Sequence, residues 1–175
     1  MSTQTPVNQP ELDERDDEIR DEPTEQYLSF LMGDEEFAIN ILSVQEIRGW
    51  QATTDVPNSP PHVLGVMNLR GTISPIIDLR SCFGIRDLRY TDETVVIIIS
   101  VPSELDSHPS KVVGIVVDAV SDVHDLAEND IQPSPELART FESQYIKGLA
   151  NIEQKMVIIL DLNAGLLLDN QAAIE

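Results

Sequence analysis

The sequence predicts an all-β fold of about nine or ten short strands with one or two brief helices. Short apolar stretches rich in valine and isoleucine follow one another from residue 27 onwards, separated by turn-forming residues. Runs such as 112–117 lack strict polar alternation, which indicates strands buried on both faces. Connections such as 81–93 show no helical period, which argues against a parallel α/β sheet. Small closed barrels or a sandwich remain, and closure would hide the edges of such strands.

The charge of the chain restricts its partners. Its 175 residues include 31 acidic and 11 basic side chains, which gives a formal net charge of −20. This charge opposes binding to nucleic acids and to anionic membranes, and it favours partners with basic patches. The single cysteine allows no intrachain disulfide, and neither a signal peptide nor a membrane-spanning run is recognisable. We therefore expect a cytoplasmic protein.

Residues 1–25 differ from the rest of the chain. They hold nine acidic and two basic side chains, and their few apolar residues follow no period. Such a segment buries too little surface to offset the entropy cost of ordering it. We expect a disordered acidic tail over 1–25, with an electrostatic spacer or decoy as the functional alternative.

The first predicted elements are a hairpin and a short helix. Strands at 27–32 and 36–41 flank a turn-forming sequence at 33–35. A helix is predicted from about residue 41 to residue 48, where apolar residues recur every three positions. Asn40 is a suitable cap for its start, and Gly49 is suited to end it.

A second hairpin is predicted within residues 63–80, where two apolar runs meet at Asn68-Leu69-Arg70-Gly71. Gly71 suits a turn position that needs a positive φ. Arg70 then stands at the mouth of an apolar hairpin in a chain with few cations. Its guanidinium presents five donors in a planar fork, which suits a carboxylate or carbonyl groups of a partner. The alternative is an ordinary solvated arginine in a turn.

Two valine- and isoleucine-rich strands follow, at 94–101 and 111–120, joined by a polar loop at 102–110. Residues 121–126 extend or follow the second strand. The proline-rich stretch 132–136 is predicted to be irregular, because each proline restricts itself and the residue before it.

The last predicted hairpin pairs 145–152 with 156–162. Beyond it, the leucines at 166–168 either begin a short helix or cover the end of a barrel. Residues 171–175 are expected to be a flexible C-terminus.

The sequence contains little that suggests catalysis. None of its three histidines, His62, His108 and His124, has a metal-ligand spacing to another histidine or to cysteine. Cys82 has no neighbouring base, which favours a structural thiol over a nucleophile. No glycine-rich phosphate loop occurs. We expect no enzymatic activity, no metal site and no cofactor.

A phosphoacceptor role for Asp78 is the catalytic alternative, since this residue follows an apolar strand, as do Asp118 and Asp161. The response-regulator fold that uses such an aspartate needs helices alternating with parallel strands, and the connections here do not supply them. Aspartates at strand ends more often cap turns or face solvent.

Taken together, several strings resemble the CheW family of bacterial chemotaxis coupling proteins from about residue 27 to residue 168. Each string alone is weak, but their order and separation are specific. The strings are Val44-Gln45-Glu46-Ile47-Arg48-Gly49, Gly65-Val66-Met67-Asn68-Leu69-Arg70-Gly71, Pro75-Ile76-Ile77-Asp78-Leu79-Arg80, Val113-Gly114-Ile115-Val116-Val117-Asp118, Val120-Ser121-Asp122-Val123 and Tyr145-Ile146-Lys147-Gly148-Leu149.

The resemblance implies two five-stranded SH3-like barrels packed side by side around a shared apolar core, in a coupling domain over 26–170. It implies a non-catalytic adaptor between the cytoplasmic tip of methyl-accepting chemoreceptors and the CheA histidine kinase. Such a protein is cytoplasmic and is recruited to membrane-associated receptor arrays, where it modulates kinase activity. A related chemosensory system, such as one controlling type IV pili, uses the same domain and stays open as an alternative.

The resemblance also implies two sets of contact residues. The receptor-binding set is Val44, Glu46, Asn68, Arg70 and Gly71. The kinase-binding set is Gln132, Pro133, Pro135 and Leu137. The family often has a basic residue and an aromatic residue at the positions of Gln132 and Leu137, so two common interface anchors are missing here. The isolated chain is expected to be a monomer, with a stand-alone homo-oligomer as the alternative.

Overall fold

The computed structural model describes residues 22–101, 110–133 and 145–162, which form two β-sheets. Short 3-10 turns lie at Ile41–Ser43 and Glu128–Asp130, and one α-helix, α1, spans Leu79–Cys82. The strands are β1 (Thr24–Met32), β2 (Glu35–Asn40), β3 (Val44–Gly49), β4 (Val63–Leu69), β5 (Thr72–Asp78), β6 (Val95–Val101), β7 (Lys111–Val117), β8 (Ala119–Ala127), β9 (Ile131–Gln132), β10 (Ile146–Ile152) and β11 (Lys155–Leu160).

The first sheet has the strand order β8-β1-β2-β11-β10-β9, with only β11 and β2 parallel. Its two edge strands, β8 and β9, are consecutive in the chain and are separated by the turn Glu128–Asp130 alone. A link of this length spans no more than about 14 Å. The two edges must therefore come close together, and the sheet curls around a small apolar cluster that includes Tyr27, Ala150 and Ile159.

The second sheet has the order β3-β6-β7-β5-β4, with only β5 and β7 parallel. The chain that leaves β3 reaches the other edge of this sheet, where Thr54 and Val66 of β4 exchange two backbone hydrogen bonds of 3.0 and 2.9 Å. Gly65 permits this approach: its φ is +147°, and a Cβ there would lie 2.2 Å from the carbonyl oxygen of Thr54.

The largest apolar cluster lies between the two sheets. Strand β6 illustrates the arrangement, because Ile97 and Ile99 enter this shared cluster, whereas Val96 and Ile98 face the inner cluster of the second sheet. Both faces of the strand are therefore buried, as the lack of polar alternation predicts. The shared cluster comprises Leu28, Phe30, Met32, Phe37, Ile39, Ile77, Leu79, Ile97, Ile99, Val101, Val113, Ile115, Val117, Tyr145 and Leu160.

The all-β class with two packed modules is confirmed. The hairpins β1–β2, β4–β5 and β10–β11 form where the sequence predicts them, and β6 and β7 pair along their whole length. The second sheet has five strands. The first has six among the described residues, because the two-residue strand β9 adds to its edge.

The predicted helix over 41–48 is wrong. Asn40 does cap a turn, its Oδ1 accepting from the Leu42 amide at 2.9 Å, but the turn ends at Ser43. Val44–Gly49 is strand β3, antiparallel to β6. A three-residue apolar period over one short segment does not separate helix from strand, and pairing with β6 decides the outcome. The helix that does form, α1, begins at Leu79 and is capped by Asp78, whose Oδ1 accepts from the Arg80 amide at 3.1 Å.

The ends of the predicted domain lie partly outside the described residues. Strand β1 begins at Thr24 and pairs with β8, so the sheet starts two residues inside the segment predicted as a tail. Residues 1–21, 102–109, 134–144 and 163–175 are outside the described ranges. The predictions for the rest of the tail and for residues 166–168 and 171–175 fall there. No helix within the described ranges has both the length and the apolar character needed to cross a bilayer.

Substituting Gly65→Ala should destabilise the fold by about 2 kcal/mol or more, because the new Cβ overlaps the Thr54 carbonyl at an unfavourable φ. Gly49→Ala is the matched control, since a Cβ at that position meets nothing within 4 Å. Urea unfolding of both variants measures the difference. Equal midpoints for the two variants would contradict the close approach at Thr54.

Candidate functional site

The β4–β5 turn holds Arg70 at the tip of a tight hairpin. Leu69 pairs with Thr72, and the two turn residues have positive φ values, 55° for Arg70 and 86° for Gly71. This is the type I′ geometry that suits a two-residue hairpin. The Asn68 Oδ1 accepts from the Gly71 amide at 2.8 Å and fixes the turn from inside. The predicted need for a positive φ at Gly71 is confirmed, and Arg70 shares that conformation.

Glu46 of β3 lies between two arginines. Its Oε1 accepts from Arg48 Nε at 2.7 Å, and its Oε2 lies 3.5 Å from a terminal nitrogen of Arg70. The hydrogen bond from Arg48, partly opposed by desolvation and aided by the charges of both arginines, lowers the pKa of Glu46. The glutamate is therefore an anion at neutral pH. The Arg70 side chain is 81% exposed, so solvent screens its pair with Glu46 strongly.

The alternation of β3 explains why these charges share one face. Val44, Glu46 and Arg48 are half-buried, whereas the residues between them are exposed. Val44 packs against the shared cluster and anchors the start of the strand. The register with β6 shifts after Val44, which pairs with Ile99, whereas Glu46 pairs with Ile98. Glu46 and Arg48 therefore lie at two-residue spacing on the face opposite Val44, and Glu46 reaches Arg70 at the hairpin tip.

Apolar side chains border this charged group. Ile73, next to the turn on β5, is 71% exposed, and it lines a shallow groove of about 410 Å³ together with Arg48 and Met67. Ile47 lies between Glu46 and Arg48 on β3 and therefore faces away from them. We call Glu46, Arg48, Asn68, Arg70 and Ile73 the hairpin surface.

The structure brings together four of the predicted receptor-binding residues: Glu46, Asn68, Arg70 and Gly71. The fifth, Val44, lies on the same strand but packs against the core. Arg48 and Ile73 were not predicted as site residues. The two-residue spacing of Glu46 and Arg48 was the available signal for Arg48, but a helical interpretation of the segment hides it.

The predicted kinase-binding residues lie on the other sheet or outside the described ranges. Gln132 is exposed on β9 and pairs with Leu149 of β10. Gly148 allows this pairing, since a Cβ there would lie 2.4 Å from the Gln132 carbonyl oxygen. Pro133 is exposed directly after β9. Pro135 and Leu137 fall within 134–144, outside the described residues.

Arg80 lies at the centre of a buried ionic group. Its Nε and one terminal nitrogen bind the two carboxylate oxygens of Asp78 at 3.0 and 2.9 Å, and its other terminal nitrogen binds Asp118 Oδ1 at 2.8 Å. Burial alone would lower the pKa of Arg80, but the hydrogen bonds with Asp78 and Asp118 outweigh it and raise the pKa. The arginine is therefore charged throughout the accessible pH range.

This geometry argues against a phosphoacceptor role for Asp78. The carboxylate is only 1% exposed, and Tyr90 Oη donates to it at 2.8 Å in addition to the two bonds from Arg80. A phosphoryl donor needs an open carboxylate oxygen. Burial raises the pKa of Tyr90 to about 12, with the Asp78 hydrogen bond adding to the effect, so the phenol stays protonated and donates.

The described residues offer little other evidence of catalytic chemistry. Ser29 Oγ lies 3.3 Å from His124 Nε2, as in a serine–histidine pair. The nearby Asp122 does not complete a catalytic triad, because its carboxylate accepts from the Val123 amide. Within the described ranges, no group of three or more histidine, cysteine, aspartate or glutamate side chains is placed to hold a metal ion. Burial, with a contribution from the Asp78 charge, raises the pKa of the Cys82 thiol to about 12.

The fold is a pair of curled β-sheets that share one apolar core, and the comparisons with known proteins assign its class. The model of the CheW-like domain matches residues 26–168. The chemotaxis protein CheW of Rhizobium meliloti is 40% identical over 137 residues, 78% of this chain and 84% of the relative. The chemotaxis protein CheW of Klebsiella aerogenes is 41% identical over 151 residues, 86% of this chain and 87% of the relative.

A solved structure is similar as well. The scaffolding protein TtCheW from Thermoanaerobacter tengcongensis superposes with a TM-score of 0.71 at 29% identity, over 82% of this chain and 88% of that one. The chain belongs to the CheW-like family of chemotaxis scaffold proteins. The resemblance seen in the sequence is thereby confirmed.

The Cys82 thiol should react with a disulfide reagent at pH 8 more than about tenfold more slowly in the folded protein than in urea. Burial raises its pKa to about 12 and so lowers the fraction present as thiolate. Absorbance of the released thiolate measures the rate. A folded-state rate within tenfold of the unfolded rate would show an accessible, activated thiol instead.

Proposed function

We propose that this protein is a non-catalytic adaptor that couples methyl-accepting chemoreceptors to the CheA histidine kinase in signalling arrays and thereby modulates kinase activity. Membership of the CheW-like family supports the chemotaxis role. The observation that carries the proposal is Arg70, an exposed cation fixed by a rigid turn beside exposed apolar side chains in a strongly acidic chain.

The chemistry of Arg70 suits a partner that offers a carboxylate or backbone carbonyl groups. Glu46 lies 3.5 Å from only one of its terminal nitrogens, and most of the guanidinium surface is open to solvent. The remaining donors are therefore available to a partner. The adjacent Ile73 supplies apolar contact area. A receptor helix tip with an acidic or carbonyl group beside an apolar patch fits this surface.

The kinase contact is proposed for the opposite sheet, around β9. Gln132 and Pro133 are exposed there, and Pro135 and Leu137 continue the same segment in sequence. A receptor contact on one sheet and a kinase contact on the other would make the protein a physical link between them. The effect of the receptor on the kinase is then a coupling free energy transmitted through two interfaces.

The proposal extends to location and organisation. The protein is a cytoplasmic monomer that is recruited to membrane-associated receptor arrays through its partners. The coupling domain is proposed for residues 26–170 together with Thr24 and Glu25, which belong to β1, and an acidic segment precedes it in sequence. No metal or cofactor takes part.

Charge reversal by Arg70→Glu should weaken receptor binding at least about tenfold while leaving the fold intact, because the side chain is solvent-exposed and interface arginines are frequent anchors. Co-sedimentation with assemblies of receptor signalling domains and CheA measures binding, and kinase autophosphorylation measures coupling. The melting temperature should change by less than about 3 °C.

The matched control is Arg86→Glu, which changes the net charge equally at another exposed position. Arg86→Glu should bind the receptor assemblies and stimulate the kinase as the wild type does. Equal loss in both variants would assign the effect to net charge and contradict a specific role for Arg70. If a folded wild-type protein binds neither component, its partners belong to another chemosensory system and the proposed coupling is wrong.

A further inference from the structure

Arg80 is the largest fully buried side chain of the described residues, with 1% of it exposed. Burying a charge is costly, and a buried ion pair often contributes no more stability than well-packed apolar residues would. A chain with only 11 basic residues nevertheless places one of them in its interior. The arrangement of its hydrogen bonds suggests what the arginine does there.

Four of the five N–H groups of Arg80 have partners. Two bind Asp78, one binds Asp118 Oδ1, and one binds the backbone carbonyl of Arg89 at 2.8 Å. Asp78 ends β5 and is fixed to the second sheet, where its amide donates to the His62 carbonyl at 2.8 Å. The guanidinium plane is thereby held on three sides.

Asp118 belongs to the first sheet by its other contacts. It lies where the chain passes from β7 to β8, and its amide donates to the Leu31 carbonyl at 2.9 Å. Its second carboxylate oxygen accepts from the Gly33 amide, in the β1–β2 turn, at 2.7 Å. One carboxylate thus joins the Gly33 turn of the first sheet to the arginine of the second.

On its other side Arg80 contacts the chain around β3. Its guanidinium carbon lies 5.0 Å from the centre of the Tyr90 ring, and that ring stacks on Trp50 at 4.5 Å. Trp50 follows β3 directly, and its amide donates to the Thr94 carbonyl at 2.9 Å. Strand β3 carries Glu46 and Arg48 of the hairpin surface. Contacts therefore run without interruption from the Gly33 turn to the end of β3.

We propose that Arg80 is a positioning residue that fixes the Gly33 turn of the first sheet relative to the β3 end of the second. Its planar fork sets both the distance and the angle between Asp78 and Asp118, which a single ammonium group does not do. The consequence for signalling rests on the proposed function: with the two sheets fixed, the receptor-facing and kinase-facing surfaces keep one relative geometry.

The test uses Arg80→Lys, which keeps the charge and loses the fork, with Arg86→Lys as the matched surface control. Native-state hydrogen exchange is followed at the Gly33 and Trp50 amides, neither of which bonds to Arg80. Amides of the central pair β6–β7 give the reference for global opening. Asp118→Asn is the second variant, since it weakens the link to Arg80 without changing side-chain size, and it is read at the Trp50 amide because the Gly33 amide bonds to Asp118 itself.

In Arg80→Lys, exchange at Gly33 and Trp50 should accelerate at least about tenfold, while β6–β7 amides change less than about threefold. The emission maximum of Trp50 should shift as its stack with Tyr90 loosens. Asp118→Asn should accelerate exchange at the Trp50 amide as well. Equal acceleration at all amides would show a merely stabilising role and overturn the proposal. Unchanged exchange at Gly33 and Trp50 would overturn it as well.

A kinase assay separates this inference from the proposed function. Arg80→Lys should bind receptor assemblies and CheA separately within about threefold of wild type, yet stimulate the kinase at least about fivefold less. Full stimulation by Arg80→Lys would overturn the signalling consequence. If the wild-type protein stimulates no kinase, the proposed function fails, and the exchange measurements still decide the role of Arg80.

Discussion

The apolar cluster between the two sheets is the constraint on which the rest of the structure depends. Strands β1 and β2 contribute one side of it, and β5, β6 and β7 contribute the other. Neither sheet has a core of comparable size within its own curl. Because hydrophobic stabilisation scales with buried area, the cluster shared by the two sheets makes the largest apolar contribution to stability. Surfaces on opposite sheets are therefore parts of one folded unit.

Two arginines illustrate how position determines the role of the same side chain. Arg70 is exposed on a turn, and its pair with Glu46 is screened by solvent, so it contributes little to folding and is available to a partner. Arg80 is buried with most of its donors satisfied, so it is closed to partners and acts on internal geometry. Both lie on the second sheet, at opposite ends of strand β5.

The sequence predicts those elements whose signals are local. Turn residues between alternating or apolar runs locate three hairpins, and Asn68-Leu69-Arg70-Gly71 marks the turn that carries Arg70. The prediction from sequence fails at Val44–Gly49, because pairing with the distant β6 makes that segment a strand. The approach of Glu46 to Arg70 and the burial of Arg80 likewise depend on how the sheets curl, which no short-range pattern contains.

The most direct test of this account is whether the two sheets unfold together. Trp50 fluorescence reports on the second sheet, and hydrogen exchange at the β10–β11 hairpin amides reports on the first, both followed across one urea series. A shared core predicts a single coincident transition for the two probes. Two separated transitions would show that the sheets are independent modules, and the fixed geometry between their surfaces would be contradicted.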